Sequence, residues 1–186
     1  MEFTLHYRGL LKSNRGADEK LALRRHFHRQ LSVLWEQKPL IGYRGKLIDR
    51  THEEPSLNVV QTIQGFNFAP LIAERLQLVA ELEISLLRPE APGQIVNQGG
   101  DIDNRLKTLL DSLTVPRSPN ALPSDAQPLS GEDPFFCLLE DDNLITRVAV
   151  TSDRLLEPNV SPSEVIVQIH VRTKHITVLM GTIGLG

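Results

Sequence analysis

Two groups of acidic residues in the 186-residue chain have the types and spacing that metal chemistry needs. Asp101 and Asp103 are separated by one residue and precede Lys107, and the adjacent Asp141 and Asp142 come later in the chain. Carboxylates brought together without a cation repel one another, so they either spread apart in solvent or share a metal ion. Mg²⁺ suits such ligands because it binds carboxylates, waters and a substrate phosphate together. These residues therefore indicate metal-assisted cleavage of a phosphodiester.

An amphipathic helix is predicted to carry the first group. Its apolar residues have the i, i+3, i+4, i+7 spacing of a buried helical face: Leu106, Leu109, Leu110 and Leu113. If the chain enters this helix in extended form, Asp101 and Asp103 project to one side while Ile102 faces the core. Lys107 then lies one turn beyond Asp103, and Asp111 lies one turn beyond Lys107 on the same face.

Each of these features also has a purely structural explanation. Aspartates at a helix start satisfy free N–H groups and complement the helix dipole, so the sequence DIDN could be a simple cap. An Asp-Asp-Asn run before a strand is typical of a turn. Lys107 could pair within the helix with Asp103 and Asp111. The combination of all three features in one chain favours the metal site.

The RusA-like Holliday-junction resolvases have a signature that resembles two stretches of this chain, GDIDNRLKTLLDSL and LEDDNLITRVAV. That signature runs D-x-D-N-x-x-K-x-x-x-D-x-L and continues with a D-D pair that opens a strand. The order of predicted elements agrees as well, with an N-terminal strand, a long strand, the acidic helix and two final strands. The resemblance implies that Asp101, Asp103 and Asp142 bind the metal and act in catalysis, with Lys107 as the catalytic lysine.

The resemblance also implies a mechanism and an assembly. One or two Mg²⁺ (or Mn²⁺) ions would activate a water and stabilise charge on the leaving 3′ oxygen. Lys107 would either donate to non-bridging phosphate oxygens or position the water, and we favour the first role because a charged lysine is a poor base. Asn104 and Asp111 match motif positions with a structural role. A resolvase cuts two strands of branched DNA related by near-twofold symmetry, so a C2 homodimer is expected.

Two other functions remain open on the sequence alone. The first is a non-catalytic DNA- or protein-binding module that keeps the fold and uses its carboxylates as caps. Lys107 argues against this function, because capping requires no lysine at that position. The second is a metal-dependent nuclease that acts on another branched or single-stranded DNA, and no residue distinguishes it from a junction resolvase. No organic cofactor is expected for any of these.

Charge is distributed unevenly along the chain, whose net charge is −3. Residues 1–76 carry 12 Lys and Arg against 8 Asp and Glu, whereas residues 77–186 carry 8 against 15. Basic residues that neutralise phosphates supply most of the affinity for DNA. We predict six contacts with the DNA backbone: Arg15, Lys20, Arg24, Arg25, Arg29 and, as a weaker candidate, Arg105. The alternative is that LALRRHFHRQL is only the solvated face of a helix.

The remaining pattern predicts an α/β (α+β) fold in which helices pack on a small mixed β-sheet, as in the RusA-like family. A helix is expected from Asp18, its N-cap, to about Gln37. Strands are expected in FTLHYR, in ERLQLVAELEISLLRP, in NLITRVAVTS and in SEVIVQIHVRT, where apolar and polar residues alternate. Residues 40–70 are interpreted as irregular apart from a short strand in SLNVVQTI, and VLMGTIGLG is either an added strand or a loose tail.

The chain is expected to form a single domain, residues 1–186, with a Pro-rich insertion at about 114–134. This insertion holds five prolines among small polar residues, so we predict a surface excursion that contributes little to the core. Neither a signal peptide nor an apolar run of about 18–20 residues is present, which favours a cytoplasmic protein without membrane contact. The single cysteine, Cys137, excludes a Cys-based zinc site.

Overall fold

A computed structural model describes residues 1–11, 16–49, 51, 57–89 and 102–186, and it confirms the predicted α+β class. The strands are β1 (Glu2–Leu10), β2 (Gln61–Ile63), β3 (Phe66–Ile72), β4 (Leu78–Arg88), β5 (Phe135–Leu139), β6 (Ile145–Arg154) and β7 (Glu164–His175). The α-helices are α1 (Ala17–Trp35), α2 (Arg44–Ile48) and α3 (Ile102–Leu113). Short 3₁₀ turns occur at Leu40–Gly42, Glu74–Leu76, Pro119–Ala121 and Asp142–Leu144.

The larger sheet has four strands in the order β1-β7-β4-β6. β7 is antiparallel to both of its neighbours, whereas β4 and β6 are parallel. The alternation in β4 and β7 buries one side chain in two, including Leu82 and Ile84 of β4 and Val167 and Ile169 of β7. The period-two pattern therefore predicted β4, β6 and β7 correctly. In β4 and β7 it reflects one buried face, whereas no residue of β6 is buried.

The smaller sheet has three strands in the order β2-β3-β5, with β3 parallel to β5. The sequence did not predict β3 or β5, and residues 40–70 were expected to be irregular. Six of the seven residues of β3 and all five of β5 are buried. Strands buried on both faces are continuously apolar and lack the alternating signal, which explains why they were missed.

Helix α1 packs Leu23, Phe27, Leu31 and Trp35 into the main core, which confirms the predicted helix. Its N-cap is Gly16 and not Asp18, as we had expected. The Gly16 N–H donates to the Glu19 carboxylate at 2.8 Å. Glu19, the third residue of the helix, therefore satisfies the backbone N–H of the N-cap residue, as in a capping box.

The Pro-rich segment is not the surface excursion that its composition predicted. Thr114 forms a β-bridge with Leu139, and the Val115 N–H donates to the Leu139 carbonyl at 3.0 Å. Val115, Leu122 and Ala126 are buried in a second apolar cluster that also contains Phe135. Prolines lower the entropy that an irregular segment loses on folding, so three well-spaced apolar side chains are enough to fix it against the smaller sheet.

The C-terminal residues follow β7 as turns and add no strand, although Leu185 is fully buried in the main core. In the described part of the chain, no helix is both long enough and apolar enough to cross a membrane.

Candidate functional site

Helix α3 carries the first group of predicted site residues. The helix begins at Ile102, so Asp103 is already helical and exposed in its first turn. The predicted extended entry, with Asp101 and Asp103 alternating on one side, is therefore wrong at Asp103, because the helix starts earlier than the apolar pattern indicated. Asp101 lies outside the described residues.

Lys107 lies one turn after Asp103 and is exposed to solvent. Within the described residues it makes no salt bridge. The expected intrahelical partner Asp111 instead binds Lys20 of α1, with Lys20 Nζ 2.6 Å from Asp111 Oδ2. The alternative in which Asp111 pairs with Lys107 inside the helix is therefore wrong, because a lysine from the neighbouring helix takes that carboxylate. The Lys107 ammonium remains available to an anion.

Asp141 and Asp142 lie in the turn between β5 and β6, as the sequence indicated. Asp141 caps this turn by accepting a hydrogen bond from the Asn143 N–H at 3.0 Å. That hydrogen bond is the main cause that lowers the pKa of Asp141, with a smaller contribution from Arg117. Arg117 contacts both carboxylates: Nε lies 3.1 Å from Asp141 Oδ2 and Nη2 lies 2.5 Å from Asp142 Oδ1.

Arg117 is a site residue that the sequence analysis missed. It follows Val115 and Pro116, which are both buried, so the backbone that leads to it is anchored beside β5. β5 itself leads into Asp141 and Asp142, so the guanidinium and the two carboxylates are held by adjacent segments of backbone. In the sequence, Arg117 was one arginine within the Pro-rich insertion, which was predicted to be a surface excursion.

These groups surround an open cavity of about 480 Å³ between α1, α3, residues 114–121 and the turn at Asp142. Its charged lining consists of four basic side chains, Lys20, Arg24, Lys107 and Arg117, and two carboxylates, Asp111 and Asp142. A second cavity of about 340 Å³ is lined by Glu140 and Asp141 and shares Arg117 with the first. Of the four residues expected to share a site, Lys107 and Asp142 line this cavity, Asp103 is not among its lining residues, and Asp101 lies outside the described residues.

The carboxylates are of the right chemical type for Mg²⁺ or Mn²⁺, which prefer oxygen ligands. Asp141 and Asp142 already converge on one cation, the Arg117 guanidinium. No group of three or more His, Cys, Asp or Glu residues close enough to hold a metal occurs among the described residues, which exclude Asp101. The donor chemistry fits a divalent ion at Asp142, on the condition that the ion replaces Arg117 there.

Three of the predicted DNA contacts on α1 bind other parts of the protein. Arg24 is buried and donates to the carbonyls of Asp111 and Thr114 at 2.7 and 3.1 Å, and burial lowers its pKa. Arg25 pairs with Glu132 at 2.8 Å. Lys20 pairs with Asp111 but still lines the cavity. The prediction that Arg24 contacts DNA is wrong, because its guanidinium binds the carbonyls at the C-terminal end of α3.

The other predicted DNA contacts have different outcomes. Arg105 is only 2% exposed, so the expected backbone contact is wrong for this residue, because α3 turns it into the protein. Arg29 is exposed, and its contact with DNA stays a prediction. Arg15 lies outside the described residues.

Comparison of the chain with protein-family models, with curated proteins and with solved structures finds no match. The functional interpretation therefore depends on the motifs and on the geometry of the cavity.

Proposed function

We propose that the protein is a Mg²⁺-dependent, structure-selective endodeoxyribonuclease that cleaves branched DNA such as Holliday junctions. One observation carries the proposal: Lys107 of α3 and Asp142 of the β5–β6 turn line the same open cavity. They come from two motifs that are distant in sequence, and both side chains are exposed. A lysine that makes no salt bridge within the described residues and shares a cavity with a carboxylate is typical of a site that binds a phosphate and its metal together.

Each residue has a role in this proposal. Asp103 and Asp142 would hold the metal together with Asp101, and the metal supplies a Lewis acid for activating water and for the leaving oxygen. Lys107 donates to the non-bridging oxygens of the phosphate as negative charge develops on them. Arg117 provides a second donor at the rim of the same cavity. Lys107 is carried by helix α3, whereas Arg117 must leave Asp142 before it can donate to the phosphate.

The proposal extends to the cellular setting and the partners of the protein. It includes action in recombination or repair in the cytoplasm, with branched DNA as substrate and without an organic cofactor. Because Arg24 and Arg105 are buried, DNA contact is expected from Lys20, Lys107 and Arg117 of the cavity and from the exposed Arg29. A cavity with more basic than acidic side chains supports an anionic substrate, even though the chain as a whole is acidic.

The test is a cleavage assay with purified protein, a panel of DNA substrates and Mg²⁺, Mn²⁺ or EDTA. The panel contains four-way junctions, flaps, duplexes and single strands. Metal-dependent cleavage of the four-way junction supports the proposal. Faster cleavage of another substrate would show that the protein is a nuclease of different specificity. Absence of all cleavage under every metal condition contradicts it.

Two substitutions with matched controls separate catalysis from folding. Asp103→Asn should keep the fold, because Asp103 is an exposed residue in the first turn of α3 and Asn has nearly the same shape, yet remove most of the cleavage by removing a charged ligand. Lys107→Ala should retain metal binding and lower turnover by about 10². Asp125→Asn and Lys38→Ala, which change exposed residues away from the cavity, should leave turnover unchanged. Loss of stability without a change in cleavage would show that Asp103 only stabilises the first turn of α3.

The rival function is a non-catalytic binding module, and one observation favours it. Arg117 neutralises Asp141 and Asp142, which a turn with no metal would also require. Calorimetric titration with Mg²⁺ and Mn²⁺, with and without junction DNA, distinguishes the two functions. A module binds DNA and releases no heat with either metal, whereas the nuclease binds the metal in the presence of DNA.

A further inference from the structure

The two edges of the four-stranded sheet differ in how their backbone groups are satisfied. At the β1 edge, the His6 N–H donates to Gln30 Oε1 at 3.0 Å, and Gln30 Nε2 donates to the His6 carbonyl at 2.7 Å. His26 Nε2 lies 2.9 Å from the same carbonyl. Side chains of α1 therefore occupy the middle of this edge. An edge protected in this way cannot accept another strand.

The β6 edge has no such protection. β6 is ten residues long and pairs only with β4. Within the described residues, the one side-chain hydrogen bond to its backbone is local, from the Arg154 N–H to Asp153 Oδ1 at 2.7 Å. In the part of the chain that the structure describes, the N–H and C=O groups that point away from β4 therefore have no other strand as a partner. A long edge of this kind is a template for a further strand.

Apolar side chains on β6 are also uncovered. Val148 and Val150 lie opposite Leu82 and Ile84 of β4, and both β4 residues are buried in the main core. The two valines therefore belong to the core side of the sheet, yet they are 45% and 37% exposed. The apolar face of the sheet continues beyond the cover that the helices provide, and a partner strand would extend it.

We infer that β6 pairs antiparallel with β6 of a second copy of this chain, about a twofold axis through Val150. A twofold axis perpendicular to the sheet leaves the core faces of both subunits on the same side of the joined sheet. Residues that lie the same number of positions before and after Val150 then face each other across the axis. The result is a continuous eight-stranded sheet built from two four-stranded sheets.

Charge complementarity selects this register. With the axis at Val150, Arg147 lies opposite Asp153 of the partner subunit, and the symmetry repeats this pair. Moving the axis by one residue places Arg147 opposite Thr151 or Leu155 and removes both ion pairs. Glu83 contacts Arg147 from the β4 side at 2.6 Å, so the guanidinium would lie between two carboxylates. Opposite charges directly across an antiparallel pair stabilise it.

This inference does not depend on the proposed nuclease activity. If that proposal also holds, the symmetric pairing relates two cavities by the same twofold axis as the two cuts in a branched substrate. If the protein cuts no DNA, the pairing of β6 is still tested by mass and by cross-linking.

The first experiment measures mass by light scattering and sedimentation, and the register by disulfide trapping. The expected mass is twice the 20.8 kDa of one chain. In Val150→Cys the two introduced thiols face each other with Cβ atoms about 4.5–5.5 Å apart, so oxidation should yield a covalent dimer. In the control Val148→Cys the thiols are about 13 Å apart along the strands and should not cross-link. Cys137 does not interfere, because burial raises its pKa to about 12.

The second experiment breaks the interface. Val150→Lys places two ammonium groups at the axis and should convert the dimer into a folded monomer with an unchanged circular dichroism spectrum. Val178→Lys, a matched change of another exposed valine outside β6, should remain dimeric. A monomer at all concentrations of the unmodified chain overturns the inference. So does a dimer in which Val150→Cys fails to cross-link, since another surface must then form it.

Discussion

Arg117 holds Asp141 and Asp142 through two different nitrogens, so one guanidinium occupies both carboxylates at the rim of the cavity. The negative charge of the pair raises the pKa of Arg117, with Asp141 as the larger cause. A divalent ion that uses Asp142 as a ligand must displace this cation. Arg117 therefore competes with the metal for Asp142, and it can contact the phosphate only after the metal has displaced it.

Arg117→Ala should bind Mg²⁺ more tightly in the absence of DNA, by about two- to fivefold, because no exposed ion pair has to be broken. The same variant should cleave more slowly, because it lacks a donor to the phosphate. Isothermal calorimetry and single-turnover cleavage measure the two effects separately. The matched control is Arg8→Ala, which removes another exposed arginine that holds two carboxylates, Glu157 and Glu164. Unchanged Mg²⁺ affinity in Arg117→Ala would show that the metal does not use Asp142.

Arg24→Ala should destabilise the fold by about 2–3 kcal/mol, because two partly buried carbonyls, those of Asp111 and Thr114, lose a charged donor. Urea denaturation measures the change in the free energy of unfolding. Arg29→Ala, on the exposed side of the same helix, should change that free energy by no more than about 0.5 kcal/mol. Equal effects of the two variants would contradict the structural role of Arg24.

The same two arginines have opposite expected effects on DNA binding. Arg29→Ala should reduce the slope of log K against log salt by up to about 0.9, the value for one lost phosphate contact on duplex DNA. Variants of Arg24 that remain folded should leave the slope unchanged, because the side chain is buried. Fluorescence anisotropy over a series of salt concentrations provides the measurement. A smaller slope in the Arg24 variant alone would reverse this assignment.

Residues 114–134 should be essential for stability. Leu122→Ala should cost about 2–5 kcal/mol, as expected for a leucine removed from a packed core, because its side chain is only 4% exposed. Leu156→Ala, at a position 84% exposed, is the matched control and should cost little. Replacing the whole segment with a Gly/Ser linker should abolish cooperative thermal unfolding. Retention of a sharp transition by that deletion variant would restore the view of the segment as a surface excursion.

The fold should lose stability in mild acid through His28. Its Nδ1 accepts a hydrogen bond from the Phe136 N–H at 2.9 Å, and its Nε2 lies 3.1 Å from the Gly131 carbonyl. Burial lowers the pKa of His28 below its ordinary value of 6.5. The unfolded chain therefore takes up a proton first as the pH falls, so stability is complete above pH 6.5 and decreases below it.

Denaturation at pH 7.5 and pH 5.5 tests this dependence on His28. The free energy of unfolding should fall between the two values in the unmodified protein and in His26→Gln, which changes the neighbouring histidine. The decrease should be smaller in His28→Gln, since the group that titrates is gone. An equal decrease in both variants would assign the acid sensitivity to other residues.

The sequence predicted those elements that carry a periodic signal. The alternation from Leu78 to Leu86 and the spacing of the leucines in α3 both reflect one covered face, and both elements exist. β3 and β5 were missed because they are buried on both sides and read as plain apolar runs. The interaction of Asp111 with Lys20 was also not predictable, because it connects two helices that are distant in sequence.

The sequence predicted those site residues that belong to local motifs. The motifs indicated that Lys107 and Asp142 share a site, and these two residues line one cavity. The role of Arg117 depends on the burial of Val115 and Pro116, which the Pro-rich composition did not indicate, because it predicted a surface excursion. The use of Arg24 inside the protein was equally hidden, because a basic run on a helix has the same sequence whether it faces solvent, DNA or a neighbouring helix C-terminus.

Contacts between α1 and residues 111–132 connect positions 87–107 residues apart, through Lys20, Arg24 and Arg25. Such contacts form late in folding, because the entropy of closing a long loop opposes them until most of the chain has collapsed. Two walls of the cavity, the one that carries Lys107 and the one that carries Arg117, depend on these contacts. A nascent or partly folded chain therefore contains the acidic motifs without the assembled cavity, and chemistry at this site begins only when the whole fold is complete.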